Sequence, residues 1–189
     1  MVTTDTLRAR LASLLYPDSI APDPDLPDYA IDGVVPKAVA SPHTVEQVGE
    51  LLALASAEGW GVIPRGSGSL MALGGVPERA DVMLVLNGLP HSIEHVPGDL
   101  TVTVSAATTF EELRETLTDA GQWLPLDPPL VSRRTVGGVL ATNLAGPLSL
   151  SYGTARDMVI GMKVACPDGV ITKSGGKVGK NVTGFDVAK

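Results

Sequence analysis

Aromatic side chains are scarce: Phe, Trp and Tyr together make up 4% of the 189 residues. Proteins that read single-stranded RNA or DNA stack bases on aromatic rings, and so few rings argue against that function. Positive charge is short as well. There are 14 Lys and Arg against 21 Asp and Glu, a formal net charge of −7, whereas a nucleic-acid surface needs a basic footprint. A single cysteine, Cys166, supports neither a disulfide framework nor a thiolate zinc site and fits a reducing compartment. No stretch approaches the roughly 20 apolar residues of a spanning helix. The opening Met-Val-Thr-Thr-Asp has neither the basic patch nor the apolar run of a signal peptide. A cytoplasmic protein is expected, at most peripheral to the inner membrane through partners.

Apolar residues, at 44% with 19% charged, are plentiful enough for a packed core. The length fits one domain or two small lobes around one site. Charge is unevenly spread: residues 1–132 carry 6 basic and 18 acidic side chains, and residues 133–189 carry 8 basic and 3 acidic. Such a split fits solvated lysines, and it also fits a last third that faces an anion.

Strand and helix patterns alternate along the chain. Leu7, Leu11, Leu14 and Leu15 mark one face of a helix that stops before Pro17, followed by a Pro/Asp-rich surface connector over 17–28. Val34 to Ala40, with Pro36, reads as an edge strand. Thr44 and Gln47 form a capping pair for a helix whose apolar face holds Val45, Val48, Leu51 and Leu52. Gly61–Pro64 and Val82–Leu86 read as strands around a Gly-rich loop at 65–77, the second of them buried. Strands at Ile93–Val96 and Thr101–Val104 flank a Pro97-Gly98-Asp99 turn, and Thr109 with Glu112 caps a helix carrying Phe110, Leu113 and Leu117, stopped by Gly121. Met162–Ala165 and Val170–Thr172 form a last hairpin, with Cys166 in a strand. The class is α+β.

Three blocks carry candidate chemistry. The first, Pro64-Arg65-Gly66-Ser67-Gly68-Ser69-Leu70-Met71 with Gly74-Gly75, presents backbone N–H groups unobstructed by Cβ atoms. A net-acidic chain can hold a pyrophosphate this way, because the donors are neutral amides. On its residues alone the block fits a surface loop equally well. It is neither the dinucleotide fingerprint, since Met71 stands where that pattern needs glycine, nor a P-loop. The second block, Thr135-Val-Gly137-Gly138 with Thr142, Asn143 and Gly146, suits a bulky ligand laid against the backbone, or close helix packing. The third runs from Tyr152-Gly153 and Arg156-Asp157 to Gly175-Gly-Lys177-Val-Gly-Lys180-Asn-Val-Thr-Gly184-Phe185-Asp186. Its composition alone fits a disordered tail, against which stand the apolar Phe185 and Val187.

In order and spacing, these blocks resemble the FAD-binding domain of the vanillyl-alcohol-oxidase/p-cresol-methylhydroxylase (PCMH) type. Within it the chain is most similar to the FAD-binding subunits of bacterial glycolate oxidases, above all through Lys180-Asn-Val-Thr-Gly-Phe-Asp-Val. The resemblance covers about residues 35–189 and implies a helix and linker over 1–33, then a two-lobed FAD-binding domain over 34–189. It implies FAD extended between the lobes. Arg65, Gly66, Ser67, Gly68, Ser69, Leu70 and Met71 would grip its pyrophosphate. Pro129, Thr135, Gly137, Gly138, Thr142, Asn143 and Gly146 would line the flavin and its linker, Tyr152 and Gly153 would lie beside the ring, and Gly184 and Phe185 would close over it. Covalent relatives carry a histidine in the first loop; here serines stand there, and His43, His91 and His95 lie elsewhere. Non-covalent FAD is therefore expected.

The function so implied is oxidation of a 2-hydroxy acid such as glycolate to the 2-oxo acid, with electrons passing to a partner or acceptor, an iron–sulfur subunit among the candidates. Lys177 and Lys180 are candidates to favour the reduced, anionic flavin, though solvent exposure explains each as well. The chain ends where relatives continue into a further strand and a substrate domain, so it reads as truncated, inactive alone and without a catalytic residue of its own. Two other readings remain: a non-catalytic assembly subunit or fragment, and a flavin reductase of the UDP-N-acetylenolpyruvoylglucosamine reductase type.

Overall fold

Three short apolar segments, distant in sequence, pair into one parallel sheet: β1 (Ala38–Ala40), β2 (Val62–Arg65) and β3 (Val82–Val85), in the order β1-β3-β2. The computed structural model describes residues 3–176. They fall into unit 1, which runs to Pro90 and includes Ala165–Val170, and unit 2, His91–Val164 with the chain from Ile171 onward. The sheet belongs to unit 1. Its central strand is covered on both faces, so Val82, Met83 and Leu84 are all buried, which explains the unbroken apolar run. Val82 lies beside both Ala38 and Val62, and Arg65 pairs with Val85. The register thus delivers Arg65 to the carboxyl edge of the sheet, where the glycine-rich loop begins.

Two helices pack on this sheet. In α1 (Thr4–Ala12), Leu7 and Leu11 are fully buried. The helix ends at Ala12 rather than near Pro17 because the Ser13 N–H and hydroxyl both fold back onto the Arg10 carbonyl; Leu15 reaches the core from the following turn. The Pro/Asp-rich stretch is more than a surface connector. It forms 3-10 turns at Pro17–Ser19 and Asp23–Tyr29 and buries Ser19 and Leu26. Helix α2 (Val45–Glu58) starts at Thr44, whose Oγ1 accepts from the Gln47 N–H at 3.2 Å. The Gln47 side chain returns to the His43 N–H at 2.8 Å, one residue beyond where a capping box would place it. Val48, Leu51 and Ala55 are buried, while Val45 is exposed. Complete burial of Leu51 is worth about 2 kcal/mol.

One buried carboxylate ties the sheet together. Asp81 accepts from Lys37 Nζ at 2.7 Å and from the Gly61 N–H at 2.7 Å, with Arg79 Nε at 3.4 Å. Burial pushes its pKa up. The Gly61 hydrogen bond, the Lys37 hydrogen bond and the two positive charges push it further down, so it titrates below the ordinary carboxylate range. A depressed folded-state pKa stabilises above the unfolded value, roughly pH 4, and that gain is lost as pH falls through the folded value. Asp81→Asn is therefore expected to cost about 2 kcal/mol at pH 7. In urea melts the gap to wild type should narrow below about pH 4; a gap independent of pH would contradict the assignment.

Unit 2 opens with the antiparallel pair β4 (Ile93–Val96) and β5 (Thr101–Val104), in which Ile93 faces Val104. In the connecting turn the left-handed position is Leu100 (φ 54°), not Gly98. Helix α3 (Phe110–Asp119) has a complete capping box between Thr109 and Glu112. The Glu112 carboxyl is lowered to about 2, first by the Thr109 hydroxyl, then by His91 at 3.0 Å, then by the Thr109 N–H. At the other end Gly121 (φ 68°) donates to the Thr118 carbonyl and Gln122 to that of Leu117, a Schellman stop. Phe110, Leu113 and Leu117 pack with Val136 and Val139 of α4 (Val136–Thr142) and Ala155 of α6 (Ala155–Met158), with α5 (Ser149–Tyr152) between those two in sequence.

The chain closes its described part with the two-stranded sheet β6 (Gly161–Ala165) and β7 (Ile171–Gly175). The second strand runs further than Thr172, and Cys166 lies just past the first, its N–H donating to the Val170 carbonyl at 2.9 Å. The turn segment 165–170 belongs to unit 1. There Gly169 (φ 86°) is pressed so closely onto α2 that a Cβ would fall 2.6 Å from the Gly49 carbonyl oxygen and 2.8 Å from the Ala53 methyl. No helix among the described residues is long and apolar enough to cross a membrane.

Candidate functional site

The candidate residues fall into two groups, one in each unit. In unit 1, β2 ends at Arg65 and the chain turns through Gly66, Ser67, Gly68, Ser69 and Leu70 into a 3-10 turn at Met71–Gly74. Gly68 has φ +75°, a left-handed conformation that favours glycine. A Cβ there would fall 2.6–2.7 Å from the Arg65 guanidinium, which is itself stacked 4.8 Å from the centre of the Tyr29 ring. The backbone thus lies directly on a fixed cation. Ser67 Oγ and Ser69 Oγ are 3.4 Å apart. Met71 turns inward against the cluster of Leu26, Ile31, Val39 and Met83. Residues 68–73 and 30–32 line a cleft of about 390 Å³. Its one carboxylate is Asp32, so an anion held there depends on loop amides and Arg65 outweighing it.

In unit 2 the second group gathers on α4. Thr135 is its buried N-cap, with Oγ1 accepting from the Gly138 N–H at 3.2 Å. Gly137 packs on Ala106, where a Cβ would fall 2.9 Å from the alanine methyl; close packing accounts for this glycine. The Thr142 hydroxyl donates to the Gly138 carbonyl at 3.0 Å. Asn143 ends the helix with φ 45°, and its Oδ1 accepts from the Arg156 N–H at 3.0 Å, which joins the second block to Arg156-Asp157. Gly146 lies against Asp127, where a Cβ would sit 2.5 Å from Oδ2; that same Oδ2 accepts from the Leu148 N–H at 3.2 Å. Pro129 is exposed on the bend that carries Asp127. Tyr152 meets Trp123 edge to face at 5.4 Å, both half exposed, and Gly153 (φ 85°) lies on the Asp157 carboxylate. Gly184, Phe185, Lys177 and Lys180 lie outside the described residues.

Sequence reasoning passed over several residues of these groups: Tyr29 under Arg65, Asp127 behind Gly146, Trp123 beside Tyr152, and Arg134. The last reaches along α4 to the Gly138 carbonyl at 2.8 Å and to the Thr142 hydroxyl. A second cleft, about 380 Å³ and lined by His91, Thr108, Glu112, Glu115 and Asp119, holds none of the candidates. No three His, Cys, Asp or Glu side chains gather to hold a metal among the described residues.

Residues 36–175 match the FAD binding domain family. The chain belongs to that family. Its cofactor is FAD. The chain is 30% identical over 155 residues to the glycolate oxidase subunit GlcD of Bacillus subtilis, covering 82% of this chain and 33% of that one. It is 29% identical over 151 residues to a D-2-hydroxyglutarate dehydrogenase of Xanthomonas citri pv. viticola, covering 80% and 32%. It therefore spans about a third of the length of these curated relatives. A solved structure of alkyldihydroxyacetonephosphate synthase aligns with a TM-score of 0.79 at 23% identity, over 97% of this chain and 36% of that one. At that identity the likeness speaks to fold alone, and it agrees with the α+β class. The residues present are compatible with that cofactor: at Gly68 a Cβ would run into the Arg65 guanidinium, so loop backbone and a cation lie together, and neutral amides beside a cation suit a diphosphate in an acidic protein.

Proposed function

We propose that the chain is the cofactor-holding part of an FAD-dependent oxidoreductase that converts a small 2-hydroxy acid, glycolate or a close analogue, to the 2-oxo acid. The observation that carries this reading is the 65–71 loop: a left-handed glycine laid on a stacked arginine, at the carboxyl edge of a parallel sheet, where open α/β sheets bind ligands. The substrates named for the curated relatives, glycolate and D-2-hydroxyglutarate, support the substrate class. Bound FAD supplies the hydride-accepting chemistry, and the chain's residues bind and orient it. In this reading Arg65 to Met71 hold the diphosphate, the α4 block with Pro129 and Gly146 lines the flavin, Tyr152 and Gly153 flank it, and Gly184 with Phe185 covers it. The whole of residues 34–189 serves as the FAD-binding domain. No histidine or cysteine stands in the loop, which supports non-covalent attachment. Electrons leave for an acceptor or a partner subunit, an iron–sulfur protein being a suitable one, and no catalytic residue is assigned to this chain.

Titration of FAD into the purified chain tests the reading. A bound-flavin spectrum should appear, and acid should release all of the flavin. Emission from Trp123, half exposed beside Tyr152, should be quenched, and most of that quenching should vanish in Trp123→Phe while buried Trp60 remains. In the whole enzyme glycolate should bleach the flavin. A chain that takes up no FAD overturns the reading and favours an assembly subunit; a bound flavin that no 2-hydroxy acid bleaches overturns the substrate class.

A further inference from the structure

Arg134 is the largest of the fully buried side chains, only 2% exposed. Its Nη2 donates to the Gly138 carbonyl and the Thr142 hydroxyl, while Nη1 is buried with no partner. No carboxylate pairs with it among the described residues. Its backbone is equally fixed: the carbonyl accepts from the Phe110 N–H at 2.8 Å, at the start of α3. Burying an unpaired ion costs several kcal/mol, and a guanidinium does not escape by losing its proton. Burial lowers its pKa only from an extreme starting value. Among its described residues, unit 2 therefore holds a desolvated positive charge without a counter-anion, and this charge grips two members of the proposed flavin-lining set.

We propose that Arg134 is the fixed cation that stabilises the reduced, anionic form of bound FAD, acting through space from behind α4. The inference rests on α4 lining the flavin. Oxidised isoalloxazine is neutral; uptake of two electrons and one proton leaves one negative charge on it. Inside the protein, attraction between that charge and Arg134 is weakly screened. It exists only after reduction, so it raises the reduction potential and leaves the affinity for oxidised FAD nearly unchanged. The glycine-rich loop, with its own cation at Arg65, holds the charge that FAD carries in both states.

Stepwise dithionite reduction of the FAD-loaded chain against a reference dye reads this directly. Arg134→Met should weaken binding of reduced relative to oxidised FAD about tenfold, a midpoint lower by about 30 mV for a two-electron couple. Arg134→Lys should keep most of the wild-type potential. Should Arg134→Met not fold, Arg134→Gln carries the same expectation, since its amide still offers donors to Gly138 and Thr142 without the charge. A neutral variant that binds FAD at the wild-type midpoint overturns the proposal and leaves the proposed function standing. A wild-type chain that takes up no FAD overturns both.

Discussion

Gly68→Asp is expected to weaken FAD binding by at least about 100-fold, close to 2.7 kcal/mol. Two effects act together. The new carboxylate is placed beside the Arg65 guanidinium, 2.6–2.7 Å from where the Cβ stands, so it ion-pairs with the cation that a diphosphate needs. It also sets like charge against like, which costs several kcal/mol where the groups are desolvated. Gly68→Asn separates charge from shape. Asparagine has nearly the same size and tolerates the left-handed backbone about equally, so its loss of affinity should be much smaller. Calorimetric titration of FAD into the three proteins gives the comparison, with thermal melts to confirm that each is folded. Equal losses in both variants would mean that the loop is sterically crowded and not an anion cradle. An unaltered Gly68→Asp would remove the loop from the site.

Gly146→Val should cost about 3 kcal/mol of folding stability. Its Cβ would run into the backbone carbonyl and the carboxylate of Asp127, and backbone cannot swing aside as a side-chain tip can. The Leu148 N–H would lose its 3.2 Å bond to Asp127 Oδ2 at the same time. Gly74→Ala is the control, since nothing lies within 4 Å of a Cβ at that position, and it should change stability by no more than about 0.5 kcal/mol. Urea melts settle the matter. A Gly146→Val protein as stable as wild type would show that the bend at 125–129 yields easily.

Sequence reading succeeded where structure is decided locally. The capping box of α3, its apolar spacing and its glycine stop all lie within a few residues of one another, and all three stand where they were expected. The central strand was legible for a similar reason, since burial on both faces leaves an unbroken apolar run. Errors came where tertiary partners decide. Val45 fits the helical stripe of α2 but lies outside the area the sheet covers. Ser19 and Leu26 are buried because the 17–29 turns fold back on the core, which a Pro/Asp-rich composition does not announce. At the site, glycine density marked the loop, yet the sequence does not announce that Gly68 is laid on the Arg65 guanidinium, which Tyr29 holds from a distant segment. Arg134 was invisible, because arginine reads as surface and only the packing of α3 and α4 around it makes it interior.

The seating of residues 165–170 against α2 bears on how the protein is made. Nearly all of unit 1, Met1–Pro90, leaves the ribosome long before Gly169 does, and until then Gly49 and Ala53 lack the turn that packs on them. Closure of so long a loop is a late, slow event. A nascent chain halted near Pro90 would hold strands and helices but not the finished unit. A protein shortened to end at that boundary would inherit the same defect.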